Sequence, residues 1–204
     1  MTPILATVIG AALSFLLGTL PFGIWIARAF GGKDIRSEGS GNIGATNVSR
    51  VVGFWPAGLL TFLLDGLKGI LVLIPIRFGW IEVHDVTFSP EISWFFCLCA
   101  IIGHCFSPWL KFKGGKGVAT TFAAILFLAP WTGLVGAVTF LIAFLVSRVG
   151  AIASLTGLLA ALSVHLVFYP IGVYMVSFGA MILLVIYRHD SNLSALLEKR
   201  ENSF

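Results

Sequence analysis

The chain is divided into long apolar stretches separated by short polar ones. About 20 consecutive apolar residues, at about 1.5 Å per residue, make one helical crossing of the hydrocarbon core of a bilayer. By that measure each apolar stretch predicts membrane-spanning helix; the stretches are residues 3–29, 51–76, 92–109, 118–146, 150–168 and 171–187. The pattern therefore predicts an all-α, polytopic integral membrane helical bundle.

The stretch 118–146 is ambiguous, because it is apolar for 29 residues around Pro130. One straight helix of that length would be roughly 43 Å long, more than the core requires. The stretch therefore either tilts strongly or folds at Pro130 into two short helices. The folded arrangement keeps the tail beyond Arg188 on the same side as the other basic segments, so we expect seven spans and retain five as the alternative.

The basic residues support this topology, since Lys and Arg accumulate in cytoplasmic loops. With the N-terminus outside and seven spans, 11 of the 13 Lys and Arg lie on one side: Arg28, Lys33, Arg36, Arg50, Lys111, Lys113, Lys116, Arg148, Arg188, Lys199 and Arg200. The C-terminus lies on that cytoplasmic side too. We interpret the net charge of +4 as topology and expect no nucleic-acid partner.

Composition excludes the soluble classes of protein. The chain is 58% hydrophobic and 11% charged, with a mean hydropathy of +1.00, too little charge to cover a soluble domain of this size. The three cysteines, an odd number without CxxC spacing, predict neither a disulfide framework nor a zinc site. The loops are too short for a second domain, so we treat residues 1–204 as a single transmembrane domain.

The first polar segment, KDIRSEGSGNIGATNVSR at 33–50, is rich in glycine and neutral hydrogen-bonding side chains. Backbone N–H groups that lead into a helix N-terminus make an anion site. The candidate residues here are Ser40, Gly41, Asn42, Thr46, Asn47 and Arg50. An ordinary turn, with Thr46 or Asn47 capping the next helix, is equally compatible with the pattern.

The second polar segment, GHCFSPWLKFKGGKGVATTF at 103–122, places cations on both sides of flexible backbone. Its candidate phosphate ligands are Lys111, Lys113, Gly114, Gly115 and Lys116. It is not a nucleotide-binding P-loop, because Leu110 and Gly117 stand where that motif requires Gly and Ser or Thr. A solvated basic loop that obeys the positive-inside rule is the alternative.

The third polar segment follows the last apolar stretch. Arg188 and His189 lie at the membrane interface and can reach a phosphate, with Asn192 one helical turn further on. The alternative is a stop-transfer flank and a frayed tail.

Ionisable residues also occur within or beside the spans. Asp65 and Lys68, at (i, i+3), are expected to pair, either in a functional site or as a structural salt bridge. For His104 we expect a structural role, donating to a backbone carbonyl and shaping the second segment. His165 is expected to pack against or bond a neighbouring helix, and His84 lies in a loop placed outside. No His, Cys or carboxylate cluster has metal-ligand spacing.

Five motifs occur in order along the chain: GTLPFG, SGNIGATNVSR, LLDGLKG, GHCFSPWLKFKGGKGVAT and a final RH with Asn192. Together they resemble the bacterial acyl-phosphate-dependent glycerol-3-phosphate acyltransferases, seven-helix enzymes of the cytoplasmic membrane that begin phospholipid synthesis. The resemblance implies acyl transfer from acyl phosphate to the sn-1 hydroxyl of glycerol 3-phosphate, giving lysophosphatidate and inorganic phosphate. It implies no metal or other cofactor, and suggests coupling to the enzyme that makes acyl phosphate.

The resemblance also implies a site. Carried over by motif, the polar segments contribute Ser40, Asn42, Thr46, Arg50, Lys111, Lys113, Gly114, Gly115, Lys116, His189 and Asn192. Our hypothesis is that Lys113, Lys116 and Arg50 hold the two substrate phosphates. His189 is the candidate general base, and a phosphate oxygen of the donor is the alternative proton acceptor. The tail departs from the family's pattern at three positions. Asp190 and Ala195 stand where the resemblance implies basic residues, and Lys199 stands where it implies Gly.

Two readings of a different class remain open at the level of sequence. A transporter for a phosphorylated solute would be expected to show an internal repeat and paired broken helices. A structural factor with a lipid-binding face would use the basic segments through charge alone. The acyltransferases that use acyl-CoA or acyl carrier protein as donor have an H-x4-D arrangement. That arrangement is missing here, because none of the four histidines has Asp at the fifth following position.

Overall fold

The structure, a computed structural model, describes residues 2–78 and 89–198. Within those residues the regular structure is helical throughout, which confirms the predicted all-α class. The α-helices are α1 (Pro3–Gly18), α2 (Phe22–Gly31), α3 (Ala45–Val51), α4 (Leu59–Leu67), α5 (Leu73–Arg77), α6 (Pro90–Cys105), α7 (Val118–Leu128), α8 (Pro130–Ser147), α9 (Gly150–Phe168), α10 (Tyr174–Tyr187) and α11 (Asp190–Leu197). Short 3₁₀ turns occur at Ile35–Ser37 and Pro108–Leu110, and a π turn at Phe54–Gly58 precedes α4.

Four helical segments of the described chain are long and apolar enough to cross a membrane: Pro3–Gly31, Pro90–Leu110, Pro130–Ser147 and Gly150–Phe168. Three shorter apolar helices, Phe54–Leu67, Val118–Leu128 and Tyr174–Tyr187, accompany them. The described residues thus contain four helical segments of membrane-crossing length and three shorter apolar helices, and the choice of seven spans over five stays a prediction. The short ones need protein around their ends, because a full crossing takes about 20 residues.

The apolar stretch around Pro130 does fold back on itself. α7 ends at Leu128, Ala129 leaves helical geometry with φ −139° and ψ 77°, and Pro130 opens α8. Gly133 of α8 lies against the backbone of Leu126 in α7, and the rings of Phe122 and Phe140 meet edge to face with centroids 5.8 Å apart. The two helices differ in length, with 11 residues in α7 and 18 in α8, so only α7 is short.

The first apolar stretch, expected to be one helix, is two. α1 ends at Gly18 and α2 begins at Phe22, because Pro21 has no N–H to continue the ladder. The break leaves backbone carbonyls that must find donors inside the protein. Ser107 donates its hydroxyl to the carbonyl of Thr19 at 2.9 Å, and the ammonium of Lys68 donates to the carbonyl of Leu20 at 2.8 Å.

Lys68 also makes the predicted pair with Asp65. Its Nζ lies 2.8 Å from Asp65 Oδ1, with both side chains almost completely buried. The backbone carbonyl of Asp65 accepts a hydrogen bond from the hydroxyl of Thr120 in α7 at 2.8 Å. One ion pair therefore joins the α1–α2 break to α4 and, through its backbone, to α7.

Small residues bring α1 and α6 into close contact. A Cβ on Gly18 would collide with the backbone of Ala100, and one on Gly103 would collide with the backbone of Phe15. Such contacts are typical of helix pairs in membranes, where packing rather than the hydrophobic effect drives association. The resulting rigid pair fixes the C-terminal end of α6, where the second polar segment starts.

The stretch 51–76 is more broken than expected. After α3 the chain passes through the π turn Phe54–Gly58, where Trp55 has non-helical dihedral angles, and then forms α4 and the short α5. His165 behaves as predicted, because its ring nitrogens contact the hydroxyls of Thr132 in α8 and Tyr174 in α10 at 3.2 and 3.1 Å. The predictions for His84, Lys199 and Arg200 fall outside the described residues.

Removing the charge of Lys68 should destabilise the fold strongly. Lys68→Met leaves Asp65 buried without its counter-ion and the Leu20 carbonyl without a donor, a loss of about 3 kcal/mol or more in the free energy of unfolding. Unfolding of the protein in mixed micelles with increasing sodium dodecyl sulfate, followed by tryptophan fluorescence, measures the difference. The exposed Lys33, replaced in the same way, is the control; equal unfolding midpoints for both variants would contradict the assignment.

Candidate active site

The first polar segment folds around the side chain of Asn47, which is 1% exposed. Its amide group donates to three backbone carbonyls, those of Ile35, Glu38 and Asn42, at 3.3, 2.9 and 3.0 Å. Its Oδ1 accepts the N–H of Ser40 at 2.9 Å. Asn47, expected to bind phosphate, thus has its polar atoms engaged inside the loop and acts as the loop's internal support.

The residues around Asn47 form successive turns. Gly41 has a φ of +68°, a conformation that glycine adopts without strain, and its N–H donates to the Glu38 carbonyl at 3.0 Å. Asn42 Oδ1 accepts the N–H of Gly44 at 2.8 Å, which sets the turn into α3. Gly41 is therefore a turn residue whose N–H already has a partner, in contrast to the phosphate contact expected for it.

The second polar segment is tied to the end of α6. The N–H groups of Gly114 and Gly115 donate to the carbonyls of Cys105 and His104 at 3.0 and 3.1 Å. A Cβ on either glycine would collide with His104, so only glycine fits. These two N–H groups are consequently not available to a phosphate, and the pair positions the loop instead of binding substrate as predicted.

Arg188 fixes the same glycines from the other side. Its guanidinium donates to the carbonyls of Gly115 and Gly114 at 3.1 and 2.9 Å and lies over the ring of Phe106, 5.5 Å from the centroid. Sequence reasoning gave Arg188 a possible phosphate contact. In the structure it is a cross-link between the third polar segment and the second.

The three lysines of the second segment have different surroundings. Lys111 and Lys113 are exposed and lie outside the cleft described below, whereas Lys116 is half-buried and inside it. The backbone explains this difference. Lys111 and Phe112 both have positive φ, 52° and 61°, and this left-handed turn directs the chain away from the cleft. Gly114 and Gly115 then return the chain to it. The predicted phosphate contacts of Lys111 and Lys113 within the site therefore find no support.

Lys116, His189 and Asn192 come together from two distant parts of the chain. The ammonium of Lys116 donates to Oδ1 of Asn192, a residue in the first turn of α11. His189 is buried just before that helix, and its Nδ1 donates to the carbonyl of Val185 at 2.8 Å. A carbonyl can only accept, so Nδ1 carries the proton and Nε2 is the acceptor of the neutral ring.

These residues line one cleft of about 830 Å³, a volume that includes its solvent-filled mouth. The three polar segments all contribute to it. The predicted site residues in its wall are Ser40, Asn42, Thr46, Asn47, Arg50, Asp65, His104, Lys116, His189 and Asn192. Two cations, Arg50 and Lys116, give it a positive character suited to anions.

Four helices also begin at the cleft. The first residues of α3, α7 and α9 and the cap of α11 line its wall, and none of these four N-termini has a side-chain cap. The N-terminus of a helix carries unpaired N–H groups and about half a positive charge. The convergence of these ends adds to the positive field of Arg50 and Lys116 in the cleft.

Asp65 and His104 lie in the same wall, with His104 Nδ1 3.7 Å from Asp65 Oδ1. The expectation that the His104 side chain donates to a backbone carbonyl is not met, because Nδ1 has no hydrogen-bond partner among the described residues. Its backbone carbonyl, bound by Gly115, does shape the second segment. No group of three His, Cys, Asp or Glu within residues 2–78 and 89–198 is arranged to hold a metal ion.

Sequence reasoning missed the contribution of α9 and the apolar wall. Gly150, Ala151 and Ser154 line the cleft from the first turns of α9, while Phe62 and Phe140 form an apolar part of it. The available signal was the interruption of two apolar stretches at Arg148 and Val149, but Arg148 had been considered only for its charge on the predicted cytoplasmic side. No sequence pattern marked Phe62 and Phe140 as cleft residues, since phenylalanine is common throughout the spans.

Burial governs the protonation of His189. It lowers the pKa of the imidazole from 6.5 to about 4, with the positive charges of Lys116 and Arg188 acting in the same direction against the hydrogen bond to Val185. The structure predicts a ring that stays neutral at physiological pH.

The profile of a family described as glycerol-3-phosphate acyltransferase matches residues 8–199. The chain belongs to the glycerol-3-phosphate acyltransferase family. This confirms the family inferred from the five motifs, and with it a transferase of phospholipid biosynthesis embedded in a membrane.

Individual glycerol-3-phosphate acyltransferases show the extent of the match. Those of Aliarcobacter butzleri and Zymomonas mobilis are 36% and 38% identical over 203 and 197 residues, with 93% of this chain and 92% of each relative covered. Two solved structures of PlsY (YgiH), an integral membrane glycerol 3-phosphate acyltransferase, have TM-scores of 0.84 and 0.81 at 35% and 34% identity. They cover 98% of this chain and 96% and 95% of theirs. One is a glycerol 3-phosphate form and the other a lysophosphatidic acid form.

The protonation of His189 can be measured directly. Since its pKa in the folded acyltransferase is about 4, the ¹⁵N shifts of this ring should report a neutral Nδ1–H tautomer from pH 8 down to about pH 5. Selectively labelled protein in micelles gives the titration, and His189→Gln assigns the signal. The unfolded chain binds more protons between pH 4 and 6.5, so the stability contributed by this group is complete above pH 6.5 and is lost as pH falls toward 4. A midpoint near 6.5 would contradict the burial argument.

Proposed function

We propose that the cleft transfers a fatty acyl group from acyl phosphate to the sn-1 hydroxyl of glycerol 3-phosphate, giving lysophosphatidate and inorganic phosphate. The observation that supports this most directly is the convergence of three polar segments, distant in sequence, on one cleft with two cations and four helix N-termini. Both substrates carry phosphate, and the cleft offers charge for such groups beside an apolar wall.

Arg50 and Lys116 hold the substrate phosphates in this proposal. Arginine offers a planar fork that matches two phosphate oxygens, and lysine contributes a compact charge. Ser40, Asn42 and Thr46 line the wall near the N-terminus of α3 and orient the substrates through hydrogen bonds. The acyl chain lies along Phe62 and Phe140, where no polar group has to be desolvated.

The chemistry requires alignment more than activation, because acyl phosphate is a mixed anhydride with a good leaving group. The glycerol oxygen attacks the acyl carbonyl carbon, and the ester C–O bond forms. The bond from that carbon to the phosphate oxygen then breaks, and the phosphate leaves with the electron pair. Lys116, Asn192 and the helix N-termini stabilise the charge that develops on the carbonyl oxygen and on the leaving group.

The hydroxyl proton has two acceptors available. His189 presents Nε2 as a lone pair, since Nδ1–H is bound to Val185. A pKa of about 4 makes it a weak base, however. The departing phosphate is the stronger base, so we assign the proton to a phosphate oxygen and give His189 the role of a hydrogen-bonding group that orients the substrate.

We infer a location in the bacterial inner membrane and, from the positive-inside rule, an orientation with the cleft and the C-terminus on the cytoplasmic side and the N-terminus outside. That orientation gives glycerol 3-phosphate access from the cytoplasm. Acyl phosphate reaches the cleft from the membrane side, and the cytoplasmic enzyme that makes it is a partner for functional coupling.

The donor can be identified with purified protein and labelled glycerol 3-phosphate. Lysophosphatidate is expected with acyl phosphate and not with acyl-CoA or acyl carrier protein, in the absence of added metal. Heat-denatured protein is the control for spontaneous transfer from the reactive anhydride. Product from acyl-CoA at a comparable rate would overturn the proposed donor.

Two lysines of one loop provide a matched pair of variants. Lys116→Met should lower kcat/KM by about 10²-fold or more, the scale of one lost electrostatic contact in a transition state. Lys113→Met, three residues away and outside the cleft, should stay within about threefold in detergent micelles. Equal losses for the two variants would mean that the site extends beyond the cleft.

A further inference from the structure

The segment Trp109–Lys113, here called the basic aromatic loop, has no assigned role once Lys111 and Lys113 are placed outside the cleft. It presents two exposed aromatic rings, with Trp109 69% and Phe112 62% exposed. The two exposed lysines flank the phenylalanine. Neither lysine takes part in an ion pair with any residue that the structure describes.

The backbone of this loop is held firmly. The N–H groups of Leu110 and Phe112 both donate to the carbonyl of Ser107, at 3.0 and 2.9 Å, and that of Lys113 donates to Leu110 at 3.0 Å. The indole N–H of Trp109 donates to the hydroxyl of Thr19 at 2.9 Å. The exposed rings are therefore presented by a fixed frame rather than by a loose loop.

Two residues of the loop are in a conformation that favours glycine. Lys111 and Phe112 have φ of 52° and 61°, and such residues cost about 1–2 kcal/mol each relative to the right-handed region. The chain uses glycine freely nearby, at Gly103, Gly114, Gly115 and Gly117, yet has large side chains at these two positions. Strained residues of this kind cluster at functional sites, which makes these two positions candidates for a role of their side chains.

The composition and exposure of the loop fit one environment. Aromatic rings concentrate at the boundary between acyl chains and headgroups of a bilayer, and basic residues beside them bind anionic headgroups. The loop joins two apolar segments: Pro90–Leu110, which includes its first two residues and is long and apolar enough to cross a membrane, and the shorter helix Val118–Leu128. Exposed charge and exposed apolar surface therefore occur together at the end of an apolar helical segment, a combination that suits the headgroup level of an anionic bilayer.

We propose that the basic aromatic loop is an anionic-lipid contact site, in which Phe112 and Trp109 enter the interface and Lys111 and Lys113 bind lipid phosphates. This goes beyond the proposed acyl transfer and does not depend on it. Gly114 and Gly115 connect the loop rigidly to Lys116, so lipid contact at Lys113 fixes the level of the cleft at the headgroups. A soluble anion and a lipid-borne anion can both reach a cleft at that level.

The depth of the loop tests the apolar half of the proposal. A nitroxide is attached at Phe112→Cys, in a background with the three native cysteines replaced by alanine, and the protein is reconstituted into vesicles of phosphatidylglycerol and phosphatidylcholine. The label should be relaxed more by oxygen, which partitions into lipid, than by a water-soluble nickel chelate. Relaxation dominated by the nickel chelate would overturn the insertion of Phe112.

Lipid selectivity tests the basic half. Native mass spectrometry in detergent compares binding of phosphatidylglycerol and phosphatidylcholine to the full chain and to the double variant Lys111→Gln, Lys113→Gln. At about fivefold per lysine near an anionic surface, the double variant should bind phosphatidylglycerol up to about 30-fold more weakly at this site, with phosphatidylcholine unchanged. Lys33→Gln, an exposed lysine without flanking aromatic residues, is the control.

An unchanged preference for phosphatidylglycerol in the double variant, or an equal loss in Lys33→Gln, would overturn lipid binding by the loop. Acyl transfer by the double variant in detergent separates this inference from the proposed function, because the two lysines lie outside the cleft. Activity should remain within about threefold there. Loss of activity together with retained lipid preference would contradict the inference and place the lysines in the site.

Discussion

The buried ammonium of Lys68 is the contact on which the rest of the architecture depends. Thr19 and Pro21 interrupt the first membrane helix. An interrupted helix within a bilayer leaves backbone carbonyls without hydrogen-bond partners. Lys68 supplies one donor to that break while Asp65 supplies the counter-charge, at 2.8 Å in each case. A fixed cation is thereby accommodated in an apolar body, and the break becomes a defined corner instead of a point of weakness.

Starting from this break between α1 and α2, successive contacts fix the position of the site residues. The α1–α6 pair is closed by glycines, and the end of α6 presents carbonyls to Gly114 and Gly115. Arg188 binds the same two glycines from the far end of the chain. The position of Lys116 is consequently determined by residues that do not themselves face substrate, which explains why the conspicuous glycines of this segment have a structural rather than a ligand role.

The sequence was informative about the all-helical membrane class and about which three polar segments meet at the cleft, because membrane spans and polar segments differ so sharply in composition. It was less informative about the function of single residues within those segments. Asn47 and Arg188 carry the same polar groups as a phosphate ligand, and only the fold reveals that backbone carbonyls occupy them. The positive φ of Lys111 and Phe112 had no signal either, since neither residue type favours that region, and the resulting turn is what separates two lysines from the third. Ser154 was missed because α9 reads as a plain apolar helix.

Four helix ends around one cleft have a consequence for how the site responds to its surroundings. Peptide dipoles do not titrate, and arginine keeps its proton at any physiological pH. Most of the positive potential in the cleft is therefore constant while the pH of the surrounding solution changes. In the proposed reaction the variable partner is the substrate, whose phosphate loses its second proton near pH 6. Recognition in such a site is governed by the ionic form of the metabolite, so the protein itself needs no adjustable charge.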